Sequence, residues 1–333
     1  MASRGPSVRD IAAATGVSIA TVSRVMNGHP NVADQTRDLV RRAYERRGAA
    51  LPRPAPGHPV LVRCPYVLTD YFGAIVSSIA ERLNSCLLDC LLDAGESAQA
   101  KSVLPGLPSR RDVSGALLIL PPESGDELIA LRRSGFPFVV IDPRTAPPPD
   151  IAAVSAAHTA GARALTSHLV ELGHRRIGVI GGPDEWLAGS ARRDGHTAAL
   201  ARAGMIADPA LLCSAHATTE DGYRAALRLL TRSDRPTALI GFNDKVAVGI
   251  LSAAWSLGLN VPGDLSVAGF DDIDLSRAVR PALTTVRQPL SELGRIAVDI
   301  LMRLIAGHEV HALHVELAVE LIIRDSTAAA PRA

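Results

Sequence analysis

The sequence predicts two unlike folds on one chain: a small all-α head, then a larger α/β body built on parallel sheets. Three observations predict this. Helical periodicity with capping residues runs through about residues 6–48. Residues 49–59 (AALPRPAPGHP) then carry Pro52, Pro54, Pro56 and Pro59. Each proline removes a donor and clashes with the preceding turn, so this stretch reads as an extended linker. From about 60 to 327, short apolar strands alternate with amphipathic segments, the pattern of parallel sheets covered by helices on both faces.

The totals bound the reading. Of 333 residues, 47% are hydrophobic, enough for a sizeable core. Apolar runs such as 116–120 are strand-sized, far short of the ~20 residues of a membrane span. The start, MASRGPSVRD, has no apolar h-region, so the expectation is a cytosolic chain with no signal peptide. Cys64, Cys86, Cys90 and Cys213 form no C-x-x-C pair and are expected as buried thiols. The net charge of +1 is unevenly placed. Nine arginines and four acids in residues 1–56 give that part +5, leaving −4 for the rest. A basic head on a mildly acidic body suits contact with a polyanion.

In the head, Ser7 is positioned to cap a first helix with Val8, Ile11 and Ala12 on its apolar side. Gly16 ends that helix in a tight turn, and Val17 fits between two helices. Ser18 caps a second helix with Val22, Val25 and Met26 inward, and Asn27–Gly28 stops it. A third helix is expected over about 34–47, burying Leu39, Val40 and Ala43. This is a helix-turn-helix, so the exposed face of the second helix is the surface that can enter a major groove. Arg24 suits a bidentate contact to guanine, while Ile19 and Ala20 suit apolar contacts such as a thymine methyl. Ser18, Thr21, Ser23, Asn27 and Asn31 suit phosphates.

In the body, strands are expected at 60–64, 89–92, 116–120, 138–141, 177–180, 238–241 and 266–270. Helices are expected at 74–83, 128–134, 159–172, 192–203, 222–230 and 246–257. Ligands bind beyond the C-terminal ends of parallel strands. Asn243 and Asp271 each follow an apolar strand, and Arg192 is expected to open a helix after a strand and loop. A polyhydroxyl ligand needs fixed donors and acceptors. Arg192 supplies donors, Asp271 accepts and Asn243 does both. Asp142 follows the strand 138–141 and is a further candidate, with Phe270 beside Asp271. Aromatic residues are 3% of the chain, and Tyr71, Phe72 and Trp186 are candidates for stacking on a sugar or base.

Residues 8–28, followed by Val32-Ala33-Asp34-Gln35-Thr36-Arg37, resemble the head of the lactose-repressor (LacI/GalR) family. The resemblance continues through Ser190-Ala191-Arg192-Arg193-Asp194-Gly195 after Gly181-Gly182, and through Phe242-Asn243-Asp244-Lys245. It is carried further by Ser266-Val267-Ala268-Gly269-Phe270-Asp271-Asp272 and by 283–289. It implies that Ile19, Ala20 and Arg24 select the operator sequence, and that Arg192, Asn243 and Asp271 contact the effector. It also implies a type I periplasmic-binding-protein-like body: two parallel-sheet subdomains joined by three crossovers, near 154–158, 286–288 and 316–319. The first subdomain would take about 60–155 and 288–316. Two positions depart from the family pattern. Ala33 stands where a serine usually caps the third helix. Residues 49–59 lack the leucine-bearing hinge helix, Leu51 being their sole leucine, so a degenerate hinge is expected.

The expected division is 1–48 for DNA binding, 49–59 as linker, 60–327 for effector binding and dimerisation, and 328–333 as tail. The expected function is a nucleoid-associated transcription regulator, a repressor, whose homodimer binds a near-palindromic operator under control of a small effector, read as a sugar. A nucleoside- or purine-sensing regulator of the same fold is the alternative, and a free solute-binding protein a further one. No catalytic residue, cofactor, metal or membrane partner is expected. His308, His311 and His314 recur at a spacing of three, but in a loop-to-strand region that gives them no shared helical face.

Overall fold

A computed structural model describes residues 7–26, 32–46, 57–100, 102–110, 112–183 and 185–331. The head is three helices: α1 (Val8–Thr15), α2 (Ile19–Met26) and α3 (Asp34–Glu45). Ser7 and Asp10 form a reciprocal capping box, which satisfies two donors left open at the start of α1. Gly16 closes α1 with φ +70°, a conformation that glycine adopts without a Cβ penalty. Ser18 Oγ accepts from the Thr21 amide at 3.1 Å and so caps α2. The head core is Ile11, Val22, Val25, Val32, Val40 and Ala43. Leu39 departs from expectation and is 41% exposed. One residue along a helix is a turn of about 100°, so the stripe made by Val40 and Ala43 leaves Leu39 at its edge. Asn27, Gly28, Asn31 and residues 47–56 lie outside the described residues, as does the Met26 side chain. Residues 57–59 form no helix or strand.

The body has two lobes. The sheet of the first has the order β11 (His314–Leu317), β5 (Ala153–Ala156), β4 (Phe138–Ile141), β3 (Gly115–Ile119), β1 (Val60–Cys64), β2 (Cys90–Ala94). Every pairing in it is parallel. One face is covered by α4 (Asp70–Ser85) and α11 (Leu290–Ile305). The other is covered by α5 (Gly125–Arg133) and the short 3-10 turn Leu104–Ser109. Such two-sided burial explains why β1, β3 and β4 are continuous apolar runs rather than alternating ones. Arg63 interrupts β1, yet it is buried. Its guanidinium is held by Asp93, Glu123 and the Ala98 carbonyl.

The second lobe's sheet runs β7 (Leu212–Ser214), β6 (Ile177–Gly181), β8 (Ala238–Gly241), β9 (Ser266–Ala268), again parallel. Helices α6 (His158–Glu171) and α7 (Leu187–Arg202) cover one face. Helices α8 (Thr219–Leu230) and α9 (Asp244–Ser256) cover the other. Each helix pair touches backbone to backbone. A Cβ on Gly195 of α7 would sit 2.3 Å from the Thr159 carbonyl oxygen of α6. One on Gly249 of α9 would sit 2.2 Å from the Thr219 oxygen of α8. A single short turn, α10 (Leu275–Ala278), follows β9.

The chain passes between lobes three times, from β5 into α6, from β10 (Thr285–Arg287) into α11, and from β11 into β12 (Glu320–Ile322). These are the crossovers expected at 154–158, 286–288 and 316–319. Strands β10 and β12 pair antiparallel as a two-stranded ribbon. Residues 328–330, expected as a tail, are laid against the second lobe. The Ala328 amide donates to Ser266 Oγ at 3.1 Å, and that of Ala330 to the Leu172 oxygen at 2.8 Å.

Candidate functional site

The cleft between the lobes is built from strand ends. Leu120 follows β3, Asp142 follows β4, and Asp271 and Asp272 follow β9. All four carry positive φ: 45°, 49°, 112° and 56°. Such conformations cost a non-glycine residue about 1–3 kcal/mol each and gather at functional sites. Aspartate tolerates them best, because its short polar side chain bonds locally.

A buried polar chain crosses the cleft. The Tyr71 hydroxyl donates to Asp142 Oδ2 at 2.7 Å. His158 Nε2 lies 2.9 Å from Asp142 Oδ1, and its Nδ1 faces Arg192 Nη2 at 3.3 Å. Since arginine can only donate, the ring proton sits on Nε2 and is given to Asp142. Arg192 Nη1 donates to the Phe242 carbonyl, and Nη2 lies 3.6 Å from Asp271 Oδ1. Gln288 Nε2 donates to that same oxygen at 2.6 Å. The Arg192 guanidinium is also sandwiched between rings, 3.8 Å from the Phe270 centroid and 4.5 Å from that of Phe242.

Burial and charged partners compete for the protonation of these carboxyl groups. It pushes the Asp271 carboxyl up to about 6, although Arg192 and Gln288 pull the other way. Burial also raises Asp142, but His158, Tyr71 and Arg192 outweigh it and hold that carboxyl below its ordinary value. Asp244, beneath the cleft, is driven well above its ordinary value by burial and then by the Asp271 charge. Its oxygens accept from the Thr285 hydroxyl and the Ile273 amide. Asp272 is a hub of ion pairs to Arg324, Arg287 and Arg277 and is held at about 2, burial notwithstanding.

A cavity of about 90 Å³ remains between the lobes. Tyr71, Phe72, Asp142, Trp186, Arg192, Asn243 and Asp271 all line it, so the structure brings seven of the eight expected effector residues together. Phe270 is the correction. It does not line this cavity and instead packs under Arg192 within the α6/α7 core. Arg192 itself lies in the second turn of α7, which starts at Leu187, rather than opening the helix. Asn243 Oδ1 is committed to capping α9 through the Val246 amide, which leaves its Nδ2 to meet a ligand. Trp186 Nε1 is buried with no hydrogen-bond partner.

Sequence reasoning missed Lys245, Phe242, His158 and Gln288. Lys245 and Phe242 stand inside the run 242–245 that flanks Asn243, which was the available signal. His158 lies at a crossover, where no residue pattern marks it. Direct contacts hold the lobes together. Lys245 Nζ donates to Thr69 Oγ1 at 2.9 Å, and the Leu187 amide to the Arg144 oxygen at 2.8 Å. Tyr66 stacks on Phe72 with centroids 4.7 Å apart and meets Trp186 edge-on at 6.1 Å.

In the head, Ser18, Ile19, Ala20 and Arg24 are exposed on one end and face of α2, while Thr21 and Ser23 are half-buried. Ile19 is 53% exposed, a large apolar side chain with no place in the head core. Asn27 and Asn31 fall outside the described residues. Among the described residues no group of three or more His, Cys, Asp or Glu could hold a metal ion. No helix among them is long and apolar enough to cross a membrane.

Residues 7–48 match the model of bacterial regulatory proteins of the lacI family, and residues 166–327 match a periplasmic binding protein-like domain. The chain is 33% identical over 332 residues to the HTH-type transcriptional repressor CytR of Escherichia coli (strain K12), covering 97% of each. It is 32% identical to the HTH-type transcriptional repressor PurR of Haemophilus influenzae, covering 96% of this chain and 98% of that one. Among solved structures, a complex of the transcriptional regulator CelR with cellobiose superposes with a TM-score of 0.73 at 28% identity. That match covers 96% of this chain and 99% of the other.

Proposed function

We propose, from the premise that this chain belongs to the lacI family of bacterial regulatory proteins, that its cleft binds a sugar and that closure on the sugar changes how α2 meets its operator. The protein is a DNA-binding transcription regulator and not an enzyme, as its relatives are transcriptional repressors. Residues 1–48 read the operator, 49–59 tether the head, and the body from 60 to 327 senses the effector, with 328–330 packed on it.

One observation carries the sugar reading. Trp186 Nε1 is a buried donor without a protein partner, set among aromatic walls and the Arg192–Asp271 pair. A hydroxyl-rich ring supplies acceptors for Trp186 and Arg192, donors for Asp271, and apolar C–H faces for Phe72 and Trp186. CelR was solved with cellobiose, which supports this class. A nucleoside is the second reading, favoured by the same aromatic surfaces, against which a flat base stacks. At 90 Å³ the cavity is far below the ~300–1,000 Å³ of ordinary small-molecule pockets. The effector therefore enters while the lobes are parted.

In α2, Arg24, Ile19 and Ala20 read bases, and Ser18, Thr21, Ser23, Asn27 and Asn31 anchor phosphates. Two chains pair through their bodies and read a near-palindromic site on the nucleoid. The edge strand β2 supports that pairing, since it exposes Leu91 and Leu92 beside an open ladder. Two measurements decide these assignments. Calorimetry with a panel of sugars and nucleosides identifies the ligand class, and Asp271→Ala should weaken the tightest ligand at least about tenfold, or 1.4 kcal/mol. Gel shifts on an operator selected from random duplexes should weaken by about 1–3 kcal/mol for Arg24→Ala, with relaxed selectivity at one base pair. Equal binding by either variant removes that residue from its site.

A further inference from the structure

We propose that the second lobe contains an accessory pocket, separate from the cleft, for a small neutral ring compound bearing one hydroxyl group. This goes beyond the effector reading and does not depend on it. A cavity of about 290 Å³ lies between the sheet and the α6/α7 layer, three times the size of the cleft cavity. Its wall is apolar for the most part, with Leu165, Val179, Ile240 and the rings of Phe242 and Phe270. Glycines at 181, 182 and 189 leave backbone in place of side chains along one side.

Two of the residues lining it, His196 and Arg192, each carry a buried side-chain atom without a hydrogen-bond partner. His196 is buried, its Nδ1 lies 3.1 Å from Thr166 Oγ1, and its Nε2 makes no hydrogen bond. Arg192 turns both terminal nitrogens to the cleft network, where each uses one of its two N–H groups, and its buried Nε is unpartnered. A native interior seldom leaves such groups unmet without a functional reason. Arg192 Nε can only donate, whereas His196 Nε2 donates or accepts according to which way the Thr166 hydroxyl points. A ligand hydroxyl answers every case, because it does both.

Size and charge narrow the class. An apolar cavity of about 150 Å³ takes up benzene, so this one has room for a substituted ring. Burial pushes His196 down to about 4, so the imidazole is neutral at neutral pH; of the two lining arginines, Arg192 faces Asp271 and Arg193 also has a partner, so desolvation of a charged ligand would go largely uncompensated. Phe242 and Arg192 line both cavities. A molecule in the accessory pocket therefore presses on two side chains that the effector also meets.

The test uses the full chain with p-cresol and toluene as probes, read by calorimetry. Wild type should bind p-cresol more tightly than toluene. A Cβ at position 181 would meet only the Cys213 oxygen, at 3.5 Å, and Val179 two residues earlier lines the same cavity. Gly181→Val therefore narrows the cavity from a position where the added Cβ is tolerated. It should keep the thermal midpoint and lower p-cresol affinity at least about tenfold. His196→Leu should erase the preference for p-cresol over toluene. Unchanged p-cresol binding in Gly181→Val, or no p-cresol binding by wild type up to its solubility, would overturn the proposal. Neither operator nor effector enters the measurement, so its failure leaves the regulator reading standing.

Discussion

Asp271 is asked to hold a charge where water is scarce. Folded, its carboxyl keeps a proton up to about 6, chiefly because burial disfavours the anion. Unfolded, it gives the proton up near 3.8. The folded state therefore binds more protons across that window, and this group's contribution to stability falls as pH rises through it and is flat above. His196 works oppositely: its folded value of about 4 lies below the ordinary 6.5, so its contribution is lost as pH falls. The two windows overlap, and a variant separates them. Asp271→Asn should flatten the Asp271 part and be at least as stable as wild type at pH 7.5, measured by urea unfolding at pH 4.5 and 7.5. Asn that is markedly less stable at pH 7.5 would mean that the Arg192 ion pair outweighs the burial cost. Arg192, Asn243 and Asp271 were legible because each stands in a recognisable run after a strand. Phe270 lies outside the cleft lining because a run of letters just past a strand does not say which way each side chain turns.

Packing of helix pairs decides the second lobe. At Gly195 the obstacle is a carbonyl oxygen of α6, which cannot rotate aside as a side-chain tip would. Gly195→Ala should cost about 1–3 kcal/mol or more in chemical denaturation. Gly125, at the start of α5, has nothing within reach of an added Cβ, and its alanine variant should be neutral or slightly stabilising. Equal costs at the two positions would refute the close-contact account. Strands β1, β4 and β8 are legible to the residue because each is an almost wholly apolar run of four or five residues bounded by turn residues. Strands β5, β10, β11 and β12 were read only as crossovers. Each has only three or four residues and most mix polar with apolar ones (AVSA, TVR, HVEL, ELI), so neither an apolar run nor a clear alternation marks it. Helix α11 was missed as an element although its region was assigned to the first lobe.

Across the whole molecule, closure is held by protein contacts as well as by any ligand. Lys245 reaches from α9 to Thr69 ahead of α4, and it is one of the chain's two lysines. A lysine bond in a half-exposed site is worth little more than about 1 kcal/mol, enough to bias two conformations without locking one. Lys245→Met should shift the unliganded protein toward the parted form, seen as a larger radius of gyration by small-angle scattering. An identical scattering curve would show that the aromatic contacts of Tyr66 and Trp186 suffice.

The three strand passages between the lobes also impose a timetable. The first lobe borrows α11 and β11 from beyond most of the second lobe, so its sheet stays an edge strand short until β11 has been made, whereas the head is made ahead of both lobes and domains fold as they emerge. A nascent molecule thus owns a finished DNA reader before it owns a receptor able to govern it. Any chain cut short ahead of α11 would carry that reader permanently without its governor.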